Sequence, residues 1–197
     1  MVRIGFVVEG DCESLLIESP GFRAWAEAQR LIICDPVINA RGGGNLCPKQ
    51  IQSFVNLCQT QANPDKIVVL TDLECDPCVT KTRERIGTGA VDLVCVARKA
   101  LESWYLADTE ALRQWLGQEI QPISSPELTD DSDKPWHYLK KLAKQYQARG
   151  PGSNKVLFTR KMLNDYQFSL SRAAAHPDCP SAGYFLEKLK TLSTSMT

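Results

Sequence analysis

Four short apolar segments rich in β-branched residues alternate with helical segments over the first half of the chain. The predicted strands are Val2 to Val8, Leu31 to Ala40, Ile67 to Thr71 and Val91 to Ala97. A continuous apolar run is typical of a strand that is buried on both faces, as in a parallel sheet. The β-α-β-α-β-α-β order therefore predicts the α/β fold class, with a mostly parallel sheet flanked by helices.

Helical patterns fill the connections between strands and dominate the sequence after Lys99. Before that point, helices are predicted at Asp11 to Glu18, Phe22 to Arg30 and Pro48 to Gln61. Beyond it, they are predicted at Ala100 to Leu106, Thr109 to Leu116, Pro135 to Ala148, Lys155 to Tyr166, Phe168 to Ala175 and Ala182 to Leu192, with a loop over Gln118 to Lys134. The expected organisation is an α/β core over residues 1–108 and a helical extension packed on it over residues 109–197.

Composition points to a globular protein without a membrane segment. Hydrophobic residues make up 43% of the chain and charged residues 23%, and the net charge is zero. No apolar run approaches the roughly 20 residues of a membrane-spanning helix, and Met1 to Gly10 lacks the pattern of a secretion signal. A cytoplasmic location is expected. Acidic residues predominate before Trp136 and basic ones after it, which fits either solvated helix faces or contact with a polyanion.

Acidic residues directly follow two of the predicted strands. Glu9 follows the first strand, and Asp72, Glu74 and Asp76 occupy alternate positions at the end of the third. Ligands of open parallel sheets bind outside the carboxyl ends of the strands, so the two groups are expected to meet. Close carboxylates need water or a cation to offset repulsion and lost hydration. Because Mg²⁺ takes oxygen ligands, these four residues predict a metal centre for Mg²⁺ or Mn²⁺; acids at two surface turns are the alternative.

Other charged residues are candidates to complete such a site. Glu13, in the first turn of a helix, and Glu102, soon after the fourth strand, are the candidate supporting acids. Each also has a plainer interpretation, as an acid at a helix start or on a solvated helix face. The candidate phosphate-binding residues are Arg41, Lys99, Lys155, Arg160 and Lys161.

Three segments carry a resemblance to a known family. VVEGDCES, followed by VVLTDLECDP, resembles a Toprim domain, the topoisomerase–primase fold shared with OLD-type nucleases. ARKALESWYLAD, from Ala97 to Asp108, is similar to a segment of small Toprim-like proteins of bacteria and phages. Members of that group resemble two-component anti-phage defence nucleases, in which an ATPase partner controls the Toprim subunit. The resemblance covers about Met1 to Asp108, and Lys155 to Leu189 resembles the C-terminus of that group more loosely.

The resemblance implies roles for individual residues. Glu9 would transfer protons, Asp72 and Glu74 would hold Mg²⁺ for phosphodiester chemistry, and Asp76 and Glu13 would support them. Glu74 stands where the D-x-D pattern of the family has a second Asp, and its side chain is one methylene longer.

Three functions are consistent with this sequence. The first is a metal-dependent endonuclease acting on nucleic acid, and the second is a non-catalytic regulatory or partner-binding subunit with the same fold. The third is an enzyme that acts on a small phosphate ester. The sequence leaves open DNA or RNA as substrate, the identity of an ATPase partner, and whether the chain forms a homo-oligomer.

Eight cysteines raise the question of a zinc site. Cys75 and Cys78 form a C-x-x-C pair, and His176 with Cys179 an H-x-x-C pair, which together have the ligand types of a Cys3His site. Reduced, unligated thiols are the alternative.

Overall fold

The described residues, 1–127 and 134–194 of a computed structural model, contain five strands in one parallel sheet. They are β1 (Val2–Val8), β2 (Leu31–Ile33), β3 (Ile38–Asn39), β4 (Lys66–Asp72) and β5 (Leu93–Ala97). The strand order is β2-β1-β4-β5, and β3 pairs with β1 beyond the end of β2. The predicted α/β class with a mostly parallel sheet is confirmed.

The second predicted strand is in fact two short ones. β2 ends at Ile33 and β3 begins at Ile38, and both pair with β1 in parallel. Pro36 lies between them and has no backbone N–H to donate to a sheet ladder. One strand with an irregular start or bulge at Asp35-Pro36 was expected over Leu31 to Ala40, and the structure instead has two strands separated at that point.

Ten α-helices surround the sheet in the described residues. They are α1 (Asp11–Glu18), α2 (Pro20–Ala28), α3 (Ile51–Ala62), α4 (Val79–Ile86), α5 (Glu102–Ala107), α6 (Thr109–Leu116), α7 (Pro135–Gln145), α8 (Lys155–Asn164), α9 (Leu170–Ala174) and α10 (Pro180–Thr194). α1 and α6 have the predicted bounds. α2 begins two residues early because Ser19 caps it, accepting a hydrogen bond from the Phe22 N–H, and Pro20 fits the first helical position. The predicted loop over Gln118 to Lys134 lies partly outside the described residues.

The two faces of the sheet bury two separate clusters of apolar side chains. α3 and α4 cover one face, where Val7 and Val69 lie, and α1, α2 and the C-terminal helices cover the other, where Phe6 and Val68 lie. Phe185 of α10 connects the C-terminal helices to the sheet within the second cluster. Its ring centroid lies 5.5 Å from that of Trp104 in α5 and 6.3 Å from that of Phe6 in β1. The C-terminal helices thus share one core with the sheet. No described helix has the length and apolarity needed to cross a bilayer.

Gly5 lies where β1 packs against α3, and this position has no room for a side chain. A Cβ at Gly5 would lie 2.5 Å from the Cys58 sulfur and 2.7 Å from Cγ of Pro64. We expect Gly5→Ala to lower the free energy of unfolding by about 1–3 kcal/mol, because a packed core resists an added methyl group. Gly21→Ala is the matched control, since nothing lies within 4 Å of a Cβ there. Equal unfolding midpoints in urea for the two variants would contradict this account.

Candidate functional site

Glu9 and Asp72 come together because β1 and β4 are neighbouring parallel strands that end at the same edge of the sheet. The pairing sets Val8 opposite Leu70, so Glu9 follows β1 close to where Asp72 ends β4. The Glu9 carboxylate accepts a hydrogen bond from the Thr71 hydroxyl and another, 3.0 Å long, from the Asp72 N–H. The two acids lie side by side although they are 63 positions apart in sequence.

The glycine-rich loop after β3 closes against Glu9. The Gly42 N–H donates to the Glu9 carbonyl at 2.7 Å. A Cβ at Gly43 would lie 3.0 Å from Oε1 of Glu9. A glycine allows this close approach of backbone to carboxylate, which accounts for Gly43 in the run of three glycines at positions 42–44.

Glu13 and Glu102 belong to the same acidic cluster. They lie in the first turns of α1 and α5, and both are buried, with 5% and 4% of their surface exposed. Burial raises the pKa of Glu13 to about 7, with added repulsion from Glu9 and Glu102. Burial, and then the charges of Glu13, Glu102 and Glu9, also hold the pKa of Asp72 well above its usual range. We call Glu9, Glu13, Asp72 and Glu102 the acidic cluster.

Lys155 brings positive charge to the acidic cluster from α8. Its Nζ lies 2.7 Å from Oε1 of Glu102. Burial lowers the pKa of Lys155, but the Glu102 carboxylate outweighs that effect, so the pKa lies above its ordinary value. The Lys155 charge also opposes the rise in the pKa of Asp72. The residue expected to bind phosphate is therefore already paired with an acid of the site.

Glu74 and Asp76, the other two expected metal ligands, have different surroundings. Glu74 is exposed and has a left-handed backbone, with φ of 46°. Asp76 forms an ion pair with Arg85, whose Nε lies 2.9 Å from Oδ2. Burial alone would raise the pKa of Asp76, but the hydrogen bond from Arg85 outweighs it, so the pKa lies below its ordinary value. Asp76 thus has a cationic partner of its own, and no described contact joins Glu74 or Asp76 to the acidic cluster.

A cavity of about 480 Å³ opens beside the acidic cluster. Its wall combines the acids Asp72, Glu74, Asp76 and Glu102 with the basic residues Arg98, Lys99, Lys134 and Lys155. Trp136, at the start of α7, adds an aromatic side chain. Such a mixture suits a ligand that carries both a phosphate and a bound cation.

Lys134 and Trp136 line this cavity but were not identified as site residues from local sequence patterns. Their one signal is a helix start at Pro135 that follows a loop rich in acidic residues. Thr71 is similar, because its hydroxyl contacts Glu9 from the apolar run of β4. All three come close in space to residues far away in sequence, which local patterns do not report.

The remaining predicted phosphate-binding residues lie elsewhere. Arg41 is exposed, and its backbone N–H donates to the Asn39 side chain at 2.7 Å. Arg160 is exposed on α8, and Lys161 lines a smaller cavity beside Trp115. Of the five predicted basic residues, Lys99 and Lys155 line the 480 Å³ cavity.

The acidic cluster fits a hydrated divalent cation in its donor chemistry. Mg²⁺ typically keeps several waters and takes one or two carboxylates, and the adjacent side chains of Glu9 and Asp72 supply such oxygens. The pKa values of Glu13 and Asp72 are raised first by burial and then by the neighbouring acids, and a bound cation would offset both effects. Within residues 1–127 and 134–194, no group of three or more His, Cys, Asp or Glu side chains is placed to hold a metal ion, so the fit rests on the two carboxylates of Glu9 and Asp72 with water as the other ligands.

The predicted Cys3His residues also form no ligand set among the described residues. Cys75 and Cys78 are exposed, whereas Cys179 is buried. His176 accepts a hydrogen bond through Nδ1 from the Asp178 N–H at 3.1 Å. The four side chains therefore give no structural support to zinc.

The chain matches no protein-family model, no curated protein and no solved structure in the three comparisons made. The acidic cluster, the cavity and the sequence resemblance are therefore the observations that bear on function.

Proposed function

We propose that the protein is a Mg²⁺- or Mn²⁺-dependent nuclease of the Toprim type that hydrolyses nucleic-acid phosphodiesters. The observation that carries the proposal is the acidic cluster at the carboxyl edge of a parallel sheet, where the acids that follow β1, lie in the first turns of α1 and α5, and end β4 are close enough to add to the effect of burial on the pKa values of Glu13 and Asp72. This is the edge at which such folds bind ligands. The proposal also draws on the resemblance of Met1 to Asp108 to Toprim sequences.

The residues of the site have distinct roles under this proposal. Asp72 and Glu9 would hold the cation, and Glu9 would also move a proton to or from the attacking water. A bound Mg²⁺ supplies Lewis-acid polarisation of a phosphate oxygen and lowers the pKa of a coordinated water. Lys99 and Lys134 face the cavity, where their charges would neutralise the phosphates on either side of the cut. A nucleic acid is the expected partner, and an ATPase subunit in phage defence is part of the same proposal.

The surroundings of Glu102 and Glu74 favour a second candidate function, a non-catalytic regulatory subunit with this fold. The Lys155 ammonium already offsets the charge of Glu102, and Glu74 is exposed to solvent. A protein that had lost metal binding would keep its buried acids stable in this way. Calorimetric titration with Mg²⁺ and then Mn²⁺ distinguishes the two: heat of binding supports the nuclease, and silence with both ions supports the regulatory subunit. A panel of plasmid, single strands, tRNA and nucleotides then identifies the substrate.

Lys155→Met separates these candidates through stability. In metal-free buffer we expect a loss of about 1–2 kcal/mol in the free energy of unfolding, because Glu102 stays buried without its charged partner. Lys155 is 48% exposed in its side chain, which limits the loss. Under the nuclease proposal Mn²⁺ should then stabilise the variant more than the wild type, since a ligand of the folded state shifts unfolding by mass action.

Thermal unfolding with and without Mn²⁺ provides the measurement for Lys155→Met. Lys161→Met is the matched control, because it removes the same charge from the same helix outside the 480 Å³ cavity. An equal response of both variants and the wild type to Mn²⁺ would contradict a role for Lys155 as the charge that offsets the cluster.

A further inference from the structure

Cys75 and Cys78 stand apart from the other cysteines of the chain. Both are exposed, whereas the remaining six are buried or partly buried. They flank Asp76 and Pro77 in the connection between β4 and α4, which belongs to a β-α-β unit with β5. Cys78 is the N-cap residue of α4 and makes no side-chain capping bond there. A C-x-x-C pair at the start of a helix in such a unit is typical of thiol–disulfide exchange.

The backbone on both sides of the pair is anchored. The Glu74 N–H donates to the Lys99 carbonyl at 2.9 Å, and the Asp76 N–H donates to the Leu73 carbonyl at 3.0 Å. The Cys78 carbonyl accepts the Thr82 N–H at 3.2 Å, which begins α4. The turn is therefore held in place while the two thiols face solvent.

Asp76, which lies between the two cysteines in sequence, is held by Arg85 of α4. Its carboxylate binds Nε of Arg85 at 2.9 Å, and Nη1 of Arg85 donates to the carbonyls of Gly43 and Leu46 at 2.9 and 3.2 Å. These contacts tie the turn to the glycine-rich loop. They account for Asp76 structurally and leave the two thiols without a structural role.

We propose that Cys75 and Cys78 form a thiol–disulfide exchange site for low-molecular-weight disulfides such as oxidised glutathione. The thiolate of one cysteine attacks the small disulfide, which forms a mixed disulfide and releases one small thiolate. The thiolate of the second cysteine attacks the protein sulfur of that mixed disulfide and releases the other. Two protein thiols are thus oxidised to one internal disulfide, the small disulfide is reduced to two thiols, and the two protons pass to the solvent and the released thiolates.

The exchange site lies at the wall of the 480 Å³ cavity. Cys75 lines the cavity beside Asp72 and Glu74, so a bulky adduct on its sulfur would stand next to the acidic cluster. Closing the internal disulfide removes that adduct. The proposal stands on the exposure and anchoring of the pair, and it is independent of nuclease activity.

Treatment of the full chain with oxidised glutathione, followed by alkylation, intact-mass measurement and peptide mapping, tests the proposal. The wild type is expected to lose two alkylatable thiols, retain no glutathione and show a Cys75–Cys78 crosslink. Cys75→Ser and Cys78→Ser are each expected to trap one glutathione on the remaining cysteine. Cys47→Ser, which alters a partly buried cysteine, should behave as the wild type. Retention of one or two glutathiones by the wild type, a crosslink elsewhere, or no reaction would overturn the proposal.

Discussion

Asn in place of Asp72 is expected to abolish most of the proposed nuclease activity while leaving the protein folded. We expect a loss of at least about 100-fold, because even the outer partners of metal-binding side chains cost about 10- to 100-fold when they are removed. The fold should survive, since Oδ1 of Asp72 accepts the Leu101 N–H at 2.9 Å and an Asn oxygen can do the same. In metal-free buffer the variant should be at least as stable as the wild type, because it replaces a carboxyl group whose charged form is disfavoured by burial and by neighbouring acids.

Initial rates of cleavage with Mg²⁺ and with Mn²⁺, together with urea unfolding, provide the measurements for Asp72→Asn. Asp92→Asn is the matched control, because Asp92 binds Lys66 and the Ile67 N–H at the opposite edge of the sheet. It should cut substrate at the wild-type rate. Wild-type cleavage by Asp72→Asn would remove Asp72 from the site, and a strongly destabilised variant would show that the charge serves the fold.

Asp108→Ala is expected to have the largest effect on stability. The Asp108 side chain is fully buried and binds Arg172 through both carboxylate oxygens, at 2.7 and 2.9 Å. It also accepts the Ala111 N–H, which caps α6, and the Ser169 N–H, which begins α9. We expect a loss of about 3–5 kcal/mol, because removing one partner of a buried pair leaves several polar groups without a match.

The free energy of unfolding in urea checks the Asp108 prediction, and a surface pair is its control. Lys81 and Glu84 lie 2.7 Å apart on α4, but both are more than half exposed. Glu84→Ala should therefore change stability by less than about 1 kcal/mol. Similar losses for Asp108→Ala and Glu84→Ala would show that Asp108 does not link α6, α9 and the core as described.

Local patterns were sufficient for much of the fold. β1, α1 and α6 have the predicted bounds because continuous apolar runs, acidic first turns and a capping aspartate are signals within a few residues. Ser19 is an equally local cap, but the second helix was predicted to begin at Phe22, with Ser19-Pro20-Gly21 as the stop and restart between two helices. The split of the second strand was marked in the sequence by Asp35-Pro36, although a proline alone does not say whether a strand bends or ends.

The candidate site was predictable only where a general rule of topology applies. Parallel strands end at one edge, and that rule brings Glu9 to Asp72. The pairing of Glu102 with Lys155 follows no such rule, because it depends on how α8 packs against α1 and α5. For Glu74 the sequence predicted more than the structure shows. Its alternate spacing with Asp72 suggested that both bind one ion, but alternation places side chains on one side only in an extended backbone. The left-handed backbone of Glu74 ends that extended geometry.

Anomalous scattering from a crystal soaked in Mn²⁺ would show whether the acidic cluster binds a divalent cation, as we propose. We expect a manganese peak within coordination distance of the Asp72 and Glu9 carboxylates. A crystal at saturating Mn²⁺ with no peak at this edge of the sheet, and with Lys155 still bound to Glu102, would contradict the metal centre and the nuclease proposed from it.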